Sequence, residues 1–205
     1  MSLLNYFSKD QDKRAKFIFN FIAPFYAKFD TSLQEGFEAS VKELDKEIVI
    51  AGKTVLDVGT GTGAWGAAIN KLRPSGIEAV DFSEKMIKQA RKNHPEINFH
   101  HINAEDLSDF KDNSFDLVTA SFVLHGVTEE KRRKLLNEMK RVSKKYVVLH
   151  DFIGKTPFGI KILEFFERSD YKHFKKNFCN ELKENFSSAK KISARYGSGL
   201  YIAKK

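Results

Sequence analysis

The stretch Val55-Leu-Asp-Val-Gly-Thr-Gly-Thr-Gly-Ala-Trp65 runs a short apolar strand into Gly59, Gly61 and Gly63 and then into a helix. A strand that reverses into a helix passes through backbone angles that are costly for any residue with a Cβ, and a ligand lying on the turn needs bare backbone to approach. The strand-before, helix-after context separates this loop from an ordinary tight turn and marks a nucleotide-like ligand. Downstream, short apolar runs alternate with amphipathic segments. Residues 54–58, 77–81, 97–102, 115–123 and 146–152 read as strands, and 63–73, 84–93 and 129–142 as helices, with Ser83 and Glu84 forming a helix start. That alternation predicts a parallel sheet covered on both faces and joined by right-handed crossovers. The order of its strands is not visible in the pattern.

Upstream, Leu33, Phe37, Val41 and Leu44 recur at helical steps across residues 31–47, and residues 13–29 carry many aromatics around Pro24. Downstream, residues 158–168 and 172–186 read as helices. Residues 190–196 and 200–205 read as two strands joined at Gly197-Ser-Gly199, a closing antiparallel hairpin. The 205 residues therefore divide as one domain: a helical cap over 1–50, a ligand-binding core over 51–152, and late helices plus hairpin over 153–205.

With 41% hydrophobic and 30% charged residues the chain is neither disordered nor membrane-embedded. No apolar run approaches the ~20 residues that span a bilayer, and the first residues turn polar too soon for a secretory signal, so a cytoplasmic location is expected. A single cysteine, Cys179, excludes an internal disulfide and a multi-cysteine zinc site; it reads as buried filler, and no metal is expected. The net charge is +8, and residues 151–205 hold twelve basic and six acidic side chains, a net +6. Such an excess can attract an acidic small molecule or RNA. Its mixing with acids along helix-like segments reads instead as a solvated face, and no arginine-rich tract or zinc-knuckle spacing supports nucleic acid.

Asp81 lies twenty residues beyond Gly61, at the end of the next strand, where a carboxylate can accept both hydroxyls of a ribose. The spelling Gly59-x-Gly61-x-x-Ala64 also satisfies the dinucleotide fingerprint, which keeps an NAD-dependent oxidoreductase as an alternative. Asp57, two residues before the first glycine, separates the two. A carboxylate there repels a pyrophosphate and suits an ammonium group, which S-adenosylmethionine carries.

Four stretches carry a family resemblance: VLDVGTGTGAWG (55–66), AVDFSEKMIKQAR (79–91), INAEDLSDFKDNSFDLVTASFVLH (102–125) and YVVLHDF (146–152). Residues 53 to about 152 resemble a class I S-adenosylmethionine-dependent methyltransferase of the ubiquinone-biosynthesis-like branch. The resemblance implies a Rossmann-like α/β three-layer sandwich with a mostly parallel seven-stranded sheet. It implies that Asp57 and the backbone of Gly59, Thr60, Gly61 and Gly63 hold the methionine part of the cofactor, and that Asp81 grips the ribose. Phe82 and Met86 would pack near the adenine, Ala104 and Glu105 would line its edge, and Ser121 would sit near the methionine end. The family usually has aspartate where this chain has Asn103, so that adenine contact would be an amide. The N-terminal and internal signatures of the quinone enzymes themselves are not evident.

Methyl transfer is an in-line displacement with a neutral leaving group, so it needs alignment and a dry pocket more than acid–base machinery. A base helps only where the nucleophile arrives protonated. Strand-end placement selects His125 and Asp151 over the more interior His150, whereas His100 and His101 lie on a strand remote from the expected opening and His94 precedes Pro95 in a loop. A histidine at a strand end is also commonly a structural residue or a pocket wall. Phe21, Phe25, Tyr26, Tyr171, His173 and Phe174 are candidates for an aromatic lid, with ordinary core as the plainer alternative. Tyr26 stands out for its polar handle. The expected acceptor is a small molecule with an oxygen, nitrogen or carbon nucleophile, and RNA methylation or RNA binding through the basic C-terminal region is the remaining alternative. The sequence sets no oligomeric state.

Overall fold

The computed structural model describes residues 34–153, 171–194 and 197–205. Tyr26, Phe21, Phe25 and the helix expected over 158–168 lie outside the described residues, as does the side chain of His173. The first described helix, α1, covers residues 34–47. There follow β1 (Thr54–Val58), α2 (Ala64–Asn70), β2 (Gly76–Asp81), α3 (Glu84–Asn93), β3 (Asn98–His101), β4 (Phe115–Ser121), α4 (Glu129–Val142), β5 (Ser143–Phe152), α5 (Tyr171–Asn185), β6 (Ser188–Ser193) and β7 (Ser198–Lys204). The sheet order is β3-β2-β1-β4-β5-β7-β6. The first five strands run parallel, and β7 inserts antiparallel between β5 and β6, so the expected closing hairpin is present.

Strands buried on both faces read as continuous apolar runs, because every second side chain enters a different core. Leu56, Val58, Val118 and Val147 face α4 and α5, packing with Leu136, Met139, Phe174 and Phe178. Val55, Leu117 and Val148 face the other way, toward Leu44, Ala68 and Ile87. Phe174 is therefore core, fully buried against Phe178 with ring centroids 4.4 Å apart, and not part of a lid. Cys179 is half-buried against the same cluster. No helix among the described residues is long and apolar enough to cross a membrane.

Local signals place the helices. Ser83 caps α3, its Oγ accepting from the Met86 amide, with Glu84 in the first turn and Arg91 and Lys92 in the last, each sign complementing the helix dipole. Thr128 caps α4 in the same way. Sheet order reverses between β1 and β4, and a crevice forms outside the carboxyl ends of strands at such a point.

One buried ion pair fastens α5 to α4 beneath that crevice. The Arg132 guanidinium, with no exposure, donates from Nε to Glu181 Oε2 (2.7 Å) and from Nη2 to Oε1 (2.9 Å). Its Nη1 donates to the Val127 carbonyl, and the group lies 5.4 Å from the Phe174 ring. Removing one partner strands a buried charge, whereas replacing both with apolar groups does not. Glu181→Gln is expected to cost about 3 kcal/mol in urea unfolding, and the double variant Arg132→Met, Glu181→Leu to recover most of it.

Candidate functional site at the strand tips

The glycine loop hooks onto the neighbouring strand: the amides of Gly59 and Thr60 both donate to the Val80 carbonyl of β2, at 2.8 and 3.0 Å. All three glycines have positive φ, +69, +56 and +88° for Gly59, Gly61 and Gly63, but they are small for different reasons. A Cβ on Gly59 would lie 2.6 Å from a Val123 methyl, and one on Gly63 2.9 Å from both His94 and Phe99. At Gly61 a Cβ would meet nothing within 4 Å. Two of the glycines thus serve packing, and Gly61 alone presents bare backbone to open space.

Beside that cradle lies Asp57, at zero exposure, with no hydrogen-bond partner at either carboxylate oxygen among the described residues; the neighbouring Thr60 hydroxyl is also unpartnered among them. Burial pushes the Asp57 carboxyl up to about 7, the nearby charge of Asp81 adding to the rise and loose approaches of Thr60 and Gly66 opposing it. The two carboxylates therefore share one end of the sheet. Asp81 is raised by burial too, and held down in part by its two donors: Oδ1 accepts from the Ser83 amide (2.8 Å) and Oδ2 from the Gly61 amide (2.9 Å). Its oxygens keep second lone pairs for another donor, yet here Asp81 first fixes the glycine loop.

Residues expected at the adenine end surround the tips of β2 and β3. Phe82 is half-buried, and its carbonyl contacts His101 Nε2 at 2.9 Å. Met86 is buried one turn into α3. Asn103 is exposed, its Oδ1 accepting from the Glu105 amide, while Glu105 pairs with Lys131 of α4 at 2.9 Å and Ala104 packs on the core beneath. His100 is committed to Glu78 on the outer strands.

At the tips of β4 and β5 the chain turns sharply. Phe122 adopts φ 55° without being glycine and donates its amide to the His150 carbonyl, a conformation that persists only where its surroundings impose it. A 3-10 turn over Leu124–Gly126 follows. His125 Nδ1 lies 2.9 Å from Asp151 Oδ1, off the line of an ideal N–H···O bond, with side-chain exposures of 11% and 2%. The His125 amide reaches Asp151 Oδ2, and the Phe152 amide donates to Oδ1.

His150 is interior. It bridges the hydroxyls of Ser121 (Nδ1, 2.9 Å) and Ser198 (Nε2, 2.9 Å), and burial lowers its pKa to about 4, so it is neutral at physiological pH. Trp65 stacks on it at 4.6 Å and donates to Thr119. Sequence reasoning missed Trp65, Thr119 and Phe122. The signal for Trp65, the chain's single tryptophan inside the glycine motif, was present; a strained phenylalanine has none.

Residues 55–146 match the methyltransferase-domain family. Curated relatives include a demethylmenaquinone methyltransferase of Renibacterium salmoninarum, 37% identical over 131 residues, covering 62% of this chain and 53% of the relative. One from Listeria welshimeri is 32% identical over 148 residues, covering 67% and 61%. The chain spans about half the length of the curated relatives it matches. Among solved structures, a putative S-adenosyl-L-methionine-dependent methyltransferase of Methanococcus maripaludis superposes with TM-score 0.67 at 21% identity, covering 97% and 95% of the two chains. Magnesium protoporphyrin IX methyltransferase from Synechocystis, with bound SAH, gives 0.65 at 18% identity over 85% and 84%. These share the fold.

Asp57 leaves a signature in stability. Its folded pKa of about 7 lies above the ordinary 3.8, so between those values the folded state holds a proton that the unfolded state has released. Stability is thus lost as pH rises through that window, and the penalty is complete above it. Without ligand, Asp57→Asn is expected to melt above wild type at pH 8, by roughly 2–4 °C for each kcal/mol relieved, with the difference vanishing near pH 4. Thermal scans at both pH values check this.

Proposed function

We propose that the chain transfers a methyl group from S-adenosylmethionine to a small-molecule acceptor. The observation that carries this reading is the buried, unpartnered Asp57 carboxylate beside the open backbone of Gly61. A buried carboxylate without a donor calls for a cation or a hydrogen-bond donor. The ammonium of the methionine moiety supplies both, and a pyrophosphate supplies neither, which disfavours NAD. When bound, the sulfonium cofactor supplies an electrophilic methyl group. In this reading Asp57, Thr60 and Gly61 hold its amino-acid end, Asp81 keeps the loop closed while reaching the ribose, and Ser121, oriented by His150, lies near the methionine end. The buried rings of Trp65 and His150 keep that end dry, which in-line displacement favours.

A small acceptor fits better than RNA. Two of the tail lysines are spent within the fold: Lys205 Nζ donates to Asn113 and to the carbonyls of Arg141 and Ser143, at the opposite end of the sheet, and Lys190 pairs with Glu47. The relatives named as demethylmenaquinone methyltransferases agree with a ring-bearing acceptor.

Isothermal titration with S-adenosylhomocysteine tests the cofactor assignment. Wild type is expected to bind it at pH 8 and not to bind NADH. Asp57→Asn should weaken binding roughly 10- to 100-fold, the scale of a lost charged hydrogen bond. Affinity should also fall as pH drops below about 7, because Asp57 must ionise to pair. NADH binding without S-adenosylhomocysteine binding would overturn the reading.

A further inference from the structure

The glycine loop has few donors left for an anion. Four of its amides are taken up inside the fold: those of Gly59 and Thr60 by the Val80 carbonyl, that of Gly61 by Asp81 Oδ2 and that of Gly63 by the Thr60 carbonyl. An S-adenosyl amino acid carries an ammonium and a carboxylate on one carbon, and Asp57 answers the ammonium alone. Its carboxylate needs a donor from another element.

Sheet register supplies one. Asp57 pairs with Thr119 across β1 and β4, and Ser121 with His150 across β4 and β5. Side chains alternate along a strand, so Asp57, Thr119, Ser121 and His150 share the face of Val55, Leu117 and Val148. With strands ~4.8 Å apart and a rise of ~3.3 Å per residue, the Ser121 Cα stands about 8 Å from that of Asp57, farther toward the strand tips. Two short side chains across that gap hold an α-amino-acid head between them. We infer that Ser121, held by His150, receives the carboxylate of the S-adenosyl ligand, so that the site selects a nucleoside with an intact amino-acid head over one that has lost its carboxylate. The inference rests on the methyl-transfer reading.

The imidazole is held from several directions. Trp65 stacks on it at 4.6 Å with 6° between the planes, the Phe37 ring of α1 stands edge-on at 5.8 Å, and its two nitrogens contact Ser121 and Ser198 at 2.9 Å each. Burial keeps it neutral, so one nitrogen donates and the other accepts. With the proton on Nδ1, His150 donates to Ser121 Oγ, and the serine's own proton is left for the anion. Ser121 is half-buried, and its hydroxyl has no second partner among the described residues. In this scheme Ser121 is a binding residue and His150 a positioning residue that acts through it.

Isothermal titration at pH 8 with S-adenosylhomocysteine and its decarboxylated analogue tests the assignment. Ser121→Ala is expected to weaken S-adenosylhomocysteine 10- to 100-fold, the scale of a hydrogen bond to a charged group, and to leave the decarboxylated analogue within twofold of wild type. Asp57→Asn should weaken both ligands alike, because both carry the ammonium. Two further variants separate positioning from packing. An asparagine amide falls near the place of Nδ1 and a glutamine amide near that of Nε2, so His150→Asn still reaches Ser121 and His150→Gln reaches only Ser198. His150→Asn is expected to bind S-adenosylhomocysteine within about threefold of wild type, His150→Gln to match Ser121→Ala, and the two combined to be no worse than either alone. Ser121→Ala, at a half-buried serine, decides the matter even where a His150 variant does not fold. Equal loss of both ligands on Ser121→Ala, loss of neither, His150→Asn no better than His150→Gln in folded variants, or a decarboxylated analogue that wild type does not bind would each overturn the carboxylate assignment. Failure of wild type to bind S-adenosylhomocysteine would overturn the methyl-transfer reading beneath it.

Discussion

A carboxylate sealed from water with no donor to hold it is an expensive thing to build, and Asp57, on the interior strand β1, is in that condition among the described residues. The cost is bearable because β1 is packed on both faces, with Val55 and Leu56 fully buried on opposite sides. It also constrains what surrounds it. The group cannot stay ionised cheaply beside Asp81, so the free protein drifts toward a protonated Asp57, and a ligand that brings a positive donor relieves the very penalty the fold carries. Destabilisation in the free state and affinity in the bound state are one quantity seen from two sides.

The remainder of the crevice follows from holding the Asp57 end open. Asp81 accepts from Gly61 and Ser83, and so ties the loop after β1 to the start of α3. Gly59 and Gly63 let the loop lie flat on Val123 and on Phe99 with His94. Gly61 is left free to meet a ligand. A motif that looks uniform in sequence thus divides its labour by what each missing Cβ would have touched.

Much of this was legible in the chain and some was not, for physical reasons. The bounds of β1, α3 and α4 could be read directly because caps and dipole-matched charges sit at the helix ends: Ser83 and Thr128 at the starts, Lys140 and Arg141 at one finish. β5 starts at Ser143, three residues earlier than apolar character suggests. Its Ser-Lys-Lys opening is polar, and only pairing of Ser143 with Phe115 across an irregular register makes it strand. Strand order was invisible, since doubly buried parallel strands all read alike. Asp57, Asp81 and the open glycine were legible as positions along the chain. The Trp65–His150 stack, the serine bridge through His150 and the contact of His125 with Asp151 depend on which strands lie side by side, which one sequence does not state.

Phe122 joins the two halves of the crevice mechanically. Its left-handed backbone turns the chain at the tip of β4, anchored by its amide on the His150 carbonyl, and its ring lies 4.7 Å from His150 and 4.6 Å from Phe152. From that turn Val123 reaches back onto Gly59, and the next residues carry His125 forward to Asp151. A phenylalanine in this conformation is strained by of order 1–3 kcal/mol, and the aromatic contacts of its ring are what make relaxing it unfavourable. The glycine loop and the His125–Asp151 pair therefore do not adjust independently. The strained turn at Phe122 thus stands in contact with both, through Val123 on one side and the Phe152 ring on the other.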